Sequence, residues 1–188
     1  MFTIIFGVSF VIISFMFSVI TYYIKVKKVS HVKILKHYNL DRHNCTLGVI
    51  GVGNVGSKVA EIATILGLKV LLNDPPRARK EGNDSFVSLD EIIEKSDIIT
   101  CHVPLQRNGQ DATFHLFDSK KISKLKPHQI LINTSRGEVV DNKSLKTALQ
   151  NKMIKAASLD VWENEPDIDT ELMELLFTAT PHIAGYSL

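Results

Sequence analysis

The sequence predicts an α/β fold with a doubly wound parallel sheet, preceded by an N-terminal apolar helix. From residue 46 onward, short apolar runs alternate with segments of helical periodicity, which is typical of a parallel sheet covered on both faces. Residues 2–24 carry no charge and are long enough for a helix that crosses a bilayer. The predicted strands are 47–50, 69–73, 97–101, 129–133, 156–161 and 178–180.

Helix and turn signals separate these runs. Ser88, followed by Glu91, predicts a capped helix start, and Asp141 predicts another, for a helix that ends near Lys152. Further helices are predicted at 118–125 and 170–176, and the residues 74–77, with two prolines, predict a turn.

Three glycines at the spacing G-x-G-x-x-G follow the first predicted strand. Gly51 suits a tight turn, Gly53 lets the backbone approach a pyrophosphate, and Gly56 allows close packing of helix and strand. A helix begins at once, with Val55, Val59, Ile62, Ala63 and Leu66 predicted on its buried face, and its N-terminus offers N–H groups to phosphates. The pattern favours a Rossmann-type dinucleotide site over a glycine-rich turn that binds nothing.

Asp74 ends the second predicted strand, 18 residues after Gly56. A carboxylate there is typical of the group that binds the ribose 2′-hydroxyl, and it disfavours a 2′-phosphate. We therefore expect NAD as the cofactor. Arg77 and Arg79 lie close enough in sequence to leave NADP open.

Charge and cysteine content exclude several classes of protein. The net charge of +2 gives no indication of a nucleic-acid partner, and two cysteines do not make a disulfide framework. Residues 25–45 hold six of the basic residues and are interpreted as a solvated basic linker. His31, His37 and His43 recur in it at a spacing that suits no common zinc site, so no metal is expected.

Two interpretations of residues 2–24 are open. Lys25, Lys27 and Lys28 follow the apolar stretch, which would place the rest of the chain on the cytoplasmic side of an inner-membrane span. Alternatively, the stretch is a helix buried between domains of a larger cytoplasmic protein.

Polar residues recur where the predicted strands end, the edge at which ligands bind in open α/β sheets. Arg136 can hold a carboxylate with its planar fork, and His182 can transfer protons near neutral pH. Glu165 could orient His182, while Asp160 and His102 end neighbouring strands. Taken singly, Arg136 and His182 could be an ordinary surface arginine and loop histidine, but together they indicate an active site.

Four motifs resemble the signatures of the D-isomer-specific 2-hydroxyacid dehydrogenases. They are residues 51–56, 133–137, 160–166 and 181–185. More narrowly, residues 72–78 and 182–187 resemble the erythronate-4-phosphate dehydrogenases of bacterial vitamin B6 synthesis, a branch of that family.

The resemblance implies an NAD-linked oxidation of 4-phosphoerythronate, a phosphorylated 2-hydroxy acid, to its 2-oxo acid. It implies that Arg136 holds the substrate carboxylate, that His182 takes the hydroxyl proton, that Glu165 pairs with His182, and that Tyr186 reaches toward the substrate. The cofactor residues that it implies are Asn54 and Val55 for the pyrophosphate, Asp74 for the adenosine ribose, and Asp160 and Gly185 for the nicotinamide end.

The resemblance covers residues 46–188, the expected NAD-binding domain. Relatives build a substrate domain from the chain that precedes this one and continue into a C-terminal dimerisation region. We expect both to be missing here, which puts the homodimer of the family in doubt. The alternative to an enzyme is a module that binds NAD without turnover.

Overall fold

The structure, a computed structural model, describes residues 45–82 and 84–185. The expected apolar helix at 2–24, the basic linker up to residue 44, and Tyr186 lie outside these ranges. Among the described residues, no helix combines the length and the apolar character needed to cross a membrane.

Strands and helices alternate along the described chain, as the sequence predicts. In chain order they are β1 (Thr46–Ile50), α1 (Asn54–Ile65), β2 (Lys69–Asn73), α2 (Pro75–Glu81), α3 (Leu89–Lys95), β3 (Ile98–Cys101), α4 (Ser119–Ile122), β4 (Ile130–Asn133), a 3-10 turn (Gly137–Val139), α5 (Asn142–Gln150), β5 (Ala156–Leu159), α6 (Thr170–Leu175) and β6 (Thr178–Ala179).

The six strands form one parallel sheet in the order β2-β1-β3-β4-β5-β6. The chain moves outward from β1 to β2 and then returns to the other side of β1 with β3. The point between β1 and β3 is therefore a topological switch point, where such sheets bind ligands. The predicted parallel α/β sheet is confirmed.

Two apolar clusters cover the two faces of the sheet. Leu47 and Val49 of β1 pack with Val59, Ala60 and Ala63 of α1 on one face. Ile50, whose side chain points the other way because strand residues alternate, belongs to the larger cluster on the opposite face with Ile92, Ile99 and Leu145. Burial on both faces explains why β1 is apolar throughout.

Three local predictions need correction. The segment 74–77 is not a simple turn, because helix α2 begins at Pro75. A proline is tolerated at the first position of a helix, since an N–H group there would have no partner within the helix. Helix α4 ends at Ile122 rather than at residue 125. Leu66 was expected on the buried face of α1 but is 47% exposed, since the helix ends before it.

Candidate functional site

The residues expected at the site follow different strands but meet at one edge, because all six strands are parallel. Gly51 follows β1, Asp74 follows β2, and His102 follows β3. Arg136, Asp160 and His182 lie just beyond β4, β5 and β6.

The glycine loop has an open side and a tightly packed side. Gly51 has a φ of 83°, a conformation that side chains rarely adopt. A Cβ on Gly56 would lie 1.9 Å from the Gly51 carbonyl oxygen, whereas a Cβ on Gly53 would meet nothing within 4 Å. Gly56 therefore permits the contact between α1 and β1, and Gly53 leaves space on the ligand side.

The start of α1 can hold a phosphate group. Gly53 is the N-cap and gives no side-chain hydrogen bond, so the N–H groups of the first turn, at Asn54 and Val55, are not capped by it. Open space at Gly53 and an uncapped helix N-terminus fit a cofactor pyrophosphate.

Asp74 ties β2 to the glycine loop. Its Oδ2 accepts a hydrogen bond of 2.8 Å from the Val52 N–H, and its Oδ1 accepts one of 3.0 Å from the Arg77 N–H. The second bond caps α2, a role that the sequence interpretation missed. Each carboxylate oxygen has a further lone pair, so Asp74 can still accept a ribose hydroxyl.

Both arginines near Asp74 have carboxylate partners. The Arg77 guanidinium donates to both oxygens of Glu81, from Nε at 2.8 Å and from Nη2 at 2.7 Å. Arg79 of α2 pairs with Asp111 in the loop after β3.

A histidine and a carboxylate meet at the far end of this edge. His182 Nδ1 lies 2.9 Å from Glu165 Oε2, and Glu165 Oε1 accepts a hydrogen bond of 2.8 Å from the Trp162 N–H. Partial burial raises the pKa of Glu165, but hydrogen bonds from His182 and Trp162 and the nearby charge of Arg136 outweigh it and lower that pKa below its ordinary value. Glu165 is therefore ionised at neutral pH and orients the imidazole.

Arg136 is held in place by its backbone. Asn133 is buried at the end of β4, and its Nδ2 donates to the Arg136 carbonyl oxygen at 2.8 Å. A Cβ on Gly137 would lie 2.0 Å from the Trp162 carbonyl oxygen, so this glycine lets the Arg136 loop pack against the segment that carries Glu165. The Arg136 side chain remains exposed.

Asp160 is 1% exposed and organises the segment that bears His182. Its carboxylate accepts hydrogen bonds from the Thr180 hydroxyl, from the Ile183 N–H at 2.9 Å and from the Ala184 N–H at 2.8 Å. Its carbonyl oxygen accepts one of 2.7 Å from the His182 N–H. The expected contact with the nicotinamide end stays a prediction. Gly185 is exposed, and a Cβ added to it would meet nothing within 4 Å.

A second histidine–carboxylate pair was missed in the sequence. His115 Nε2 lies 2.5 Å from Glu163 Oε1, and Glu163 Oε2 accepts 2.9 Å from the Asn142 N–H. The two residues are 48 positions apart, and no short-range spacing rule connects them. This pair joins the loop after β3 to the segment that contains Glu165.

His102 lies at the same edge but is not poised to carry protons at neutral pH. Burial lowers its pKa to about 4, and its Nε2 lies 3.0 Å from Thr100 Oγ1. Within the described residues, His182 is thus the histidine at the strand ends that is both exposed and paired with a carboxylate of the predicted site, Glu165.

Comparison with known proteins gives a consistent result. The family model described as the NAD binding domain of the D-isomer specific 2-hydroxyacid dehydrogenases matches residues 11–184. An erythronate-4-phosphate dehydrogenase from Bacteroides thetaiotaomicron is 54% identical over 142 residues, which cover 76% of this chain and 41% of that relative. This chain thus spans about two fifths of the length of that relative.

Solved structures resemble the fold over most of the chain. The D-lactate dehydrogenase of Aquifex aeolicus, solved with NAD and lactic acid, superposes with a TM-score of 0.74 at 30% identity, covering 96% of this chain and 60% of that one. An NADPH-dependent glyoxylate/hydroxypyruvate reductase from Sinorhizobium meliloti has a TM-score of 0.67 at 31% identity, covering 79% of this chain and 46% of that one. The chain belongs to the D-isomer-specific 2-hydroxyacid dehydrogenase family, within which it matches the NAD-binding domain.

Proposed function

We propose that this chain is part of an NAD-dependent dehydrogenase that oxidises 4-phosphoerythronate to its 2-oxo acid. The observation that carries the proposal is the pairing of His182 with Glu165, beside Arg136, at the edge that holds the glycine loop. The substrate follows from the erythronate-4-phosphate dehydrogenases to which the chain is about half identical.

The proton chemistry follows from the two imidazole nitrogens. Nδ1 of His182 donates to the ionised Glu165, which leaves the Nε2 lone pair free to accept a proton. The substrate hydroxyl at C2 gives its proton to Nε2 as the C2–H bond breaks. NAD⁺, when bound, would accept the hydride. The oxidation would thus remove two electrons and two protons from the substrate, one proton within the hydride and the other taken by His182. In the reverse direction His182 returns the proton to the oxygen.

Arg136 positions the substrate. Its side chain is exposed, and its charge lies near enough to Glu165 to lower the pKa of that carboxylate. A bidentate contact with the substrate carboxylate would hold C2 close to His182. Holding the reacting groups in this geometry would accelerate the reaction.

The cofactor would lie across the switch point of the sheet. Its pyrophosphate would bind over Gly53 and the N–H groups of Asn54 and Val55, and its adenosine ribose would bind Asp74. The nicotinamide end would extend toward Asp160 and Gly185. Tyr186 would contact the substrate.

The domain assignment is also a proposal. We assign residues 46–188 to the NAD-binding domain, joined by the linker 25–45 to the apolar stretch 2–24. The match to the family model begins at residue 11, inside that stretch, which favours an interdomain helix over an unrelated membrane anchor. An interdomain helix needs no membrane, so the same match favours a cytoplasmic location.

The experiment is a comparison of three purified proteins: the full chain, His182→Ala and His128→Ala. His128 is an exposed histidine near Asp97, at the opposite edge, and serves as the control. NADH binding is followed by fluorescence, and NAD⁺ reduction is measured with 4-phosphoerythronate and with D-lactate. We expect turnover with 4-phosphoerythronate, a kcat lower by about 10²–10⁴ in His182→Ala, and no change in His128→Ala. Equal and measurable rates in all three proteins would remove His182 from the mechanism.

A second candidate function is a module that binds NAD without turnover. It is favoured by the exposure of the site, where the His182 and Glu165 side chains are 45% and 36% exposed and closure would normally exclude water. NADH binding by the full chain, without reduction of NAD⁺ by either substrate, would select this candidate.

A further inference from the structure

The Arg77 side chain is 37% exposed, and its guanidinium has several partners. In addition to its two hydrogen bonds with Glu81, its Nη1 donates to the Val52 carbonyl oxygen and lies 3.5 Å from Ser57 Oγ. The guanidinium carbon lies 5.6 Å from the centre of the Phe86 ring. The fork of the planar group, formed by Nε and Nη2, is thus turned toward Glu81.

The backbone of this arginine is bonded to the carboxylate proposed to bind the ribose. Asp74, the proposed ribose ligand, bonds to the backbone of both Val52 and Arg77. An arginine next to this position is the usual ligand of a 2′-phosphate in dinucleotide-binding folds. A solved NADPH-dependent reductase of similar fold is 31% identical to this chain, so the choice between the two cofactors is open to this fold.

Space does not exclude a 2′-phosphate, but charge does. A cavity of about 410 Å³ borders the pair, with Val52, Leu72, Arg77, Glu81, Asp84 and Phe86 in its wall. Among the charged residues in its wall, the carboxylates of Glu81 and Asp84 outnumber the Arg77 cation. A phosphate placed there would be repelled as long as Arg77 remains bound to Glu81.

We propose that Glu81 is a specificity-determining residue, which withholds the Arg77 guanidinium from a 2′-phosphate and so makes the site select NAD over NADP. The inference rests on the proposed placement of the adenosine ribose at Asp74. It does not depend on turnover. The Asp74 carboxylate would repel a phosphate at the ribose itself, and Glu81 engages the cation that would have compensated this repulsion.

The test measures the affinity of the full chain for NADH and NADPH by fluorescence titration. Glu81→Ala frees Arg77 and should tighten NADPH binding by about tenfold, as one charge-assisted hydrogen bond to phosphate implies, with NADH affinity unchanged. Glu81→Gln keeps the side-chain length and should move the NADPH to NADH ratio in the same direction, so a misfolded alanine variant would not conceal the effect.

Two further variants separate the proposed cause from a change in net charge. Glu61→Ala removes a carboxylate from the exposed Lys58–Glu61 pair of α1, and should leave the ratio unchanged. Arg77→Gln combined with Glu81→Ala should lose the gain in NADPH affinity.

The proposal is overturned if Glu81→Ala and Glu61→Ala give the same NADPH to NADH ratio, or if the gain persists without Arg77. Absence of NADH binding in the unmodified chain would overturn the dinucleotide site itself and this inference with it. Binding of NADH without turnover would reject the proposed enzymatic function and leave this test intact.

Discussion

His182 Nδ1 lies 2.9 Å from Glu165 Oε2, although 17 positions separate the two residues in the chain. Glu165 belongs to the segment after β5, and His182 to the segment after β6. The parallel pairing of β5 with β6 places the two segments side by side. The pair therefore depends on the sheet, and it leaves Nε2 as the imidazole nitrogen that is not engaged by Glu165.

Glu165→Gln should lower kcat while leaving NADH affinity unchanged. Gln keeps the shape of the side chain but not its charge, so the imidazolium formed during the reaction loses its stabilising partner. The loss should be smaller than the factor of about 10²–10⁴ expected for His182→Ala, because the proton acceptor itself remains. Asp167→Asn, at an exposed carboxylate in the same segment, is the control in steady-state kinetics. Identical kcat values for the two variants would show that Glu165 does not act through His182.

Gly53 and Gly56 should respond differently to an added side chain. Gly53→Val meets open space in the protein, so it should fold with normal stability and lose NADH binding, because the side chain occupies the pyrophosphate position. Gly56→Ala places Cβ 1.9 Å from the Gly51 carbonyl oxygen and should cost about 3 kcal/mol of unfolding free energy. Urea unfolding and NADH titration of both variants give the comparison. Normal NADH binding by Gly53→Val would refute the position of the cofactor.

Asp160→Asn should loosen the segment that carries His182. The carboxylate accepts two backbone N–H bonds, from Ile183 and Ala184, and an amide group can accept with one atom alone. We expect a loss of about 2 kcal/mol in unfolding free energy and faster hydrogen exchange at these two amides. Unchanged exchange at Ile183 and Ala184 would contradict the role assigned to Asp160.

The partly buried His102 predicts a loss of stability in acid. Its pKa is lowered by burial from 6.5 to about 4, so the unfolded chain binds a proton there at a pH where the folded chain does not. The contribution of the neutral imidazole to the free energy of unfolding is present above pH 6.5 and is lost as the pH falls toward 4. The free energy of unfolding should fall by roughly 2 kcal/mol between pH 7 and pH 5.

His102→Gln removes this titration and keeps a polar group near Thr100. Urea unfolding at pH 7 and pH 5 should show a smaller loss of stability on acidification in the variant than in the unmodified chain. An equal loss in both proteins would mean that His102 is not protonated differently in the folded and unfolded states.

The sequence by itself determined features that depend on neighbouring residues. The alternation of apolar and helical segments, the glycine loop, and the N-caps at Ser88 and Asp141 all appear in the structure, because each is set by contacts over a few positions. The sequence also predicted that Gly51, Asp74 and His182 lie at one edge, because the carboxyl ends of parallel strands are at the same edge of a sheet. The pair of Arg77 and Glu81 has helical i, i+4 spacing, and it was missed because the prolines were interpreted as a turn.

The tertiary structure alone decided how these groups are used. It showed that the Asp160 carboxylate binds the backbone just after His182, that His115 pairs with Glu163, and that His102 is partly buried. Burial and contact between residues 20 or more positions apart depend on how the sheet and its helices pack, and a single sequence carries no local signal for them. The chemistry of the candidate site is therefore encoded in residue types, while its geometry and protonation are set by the fold.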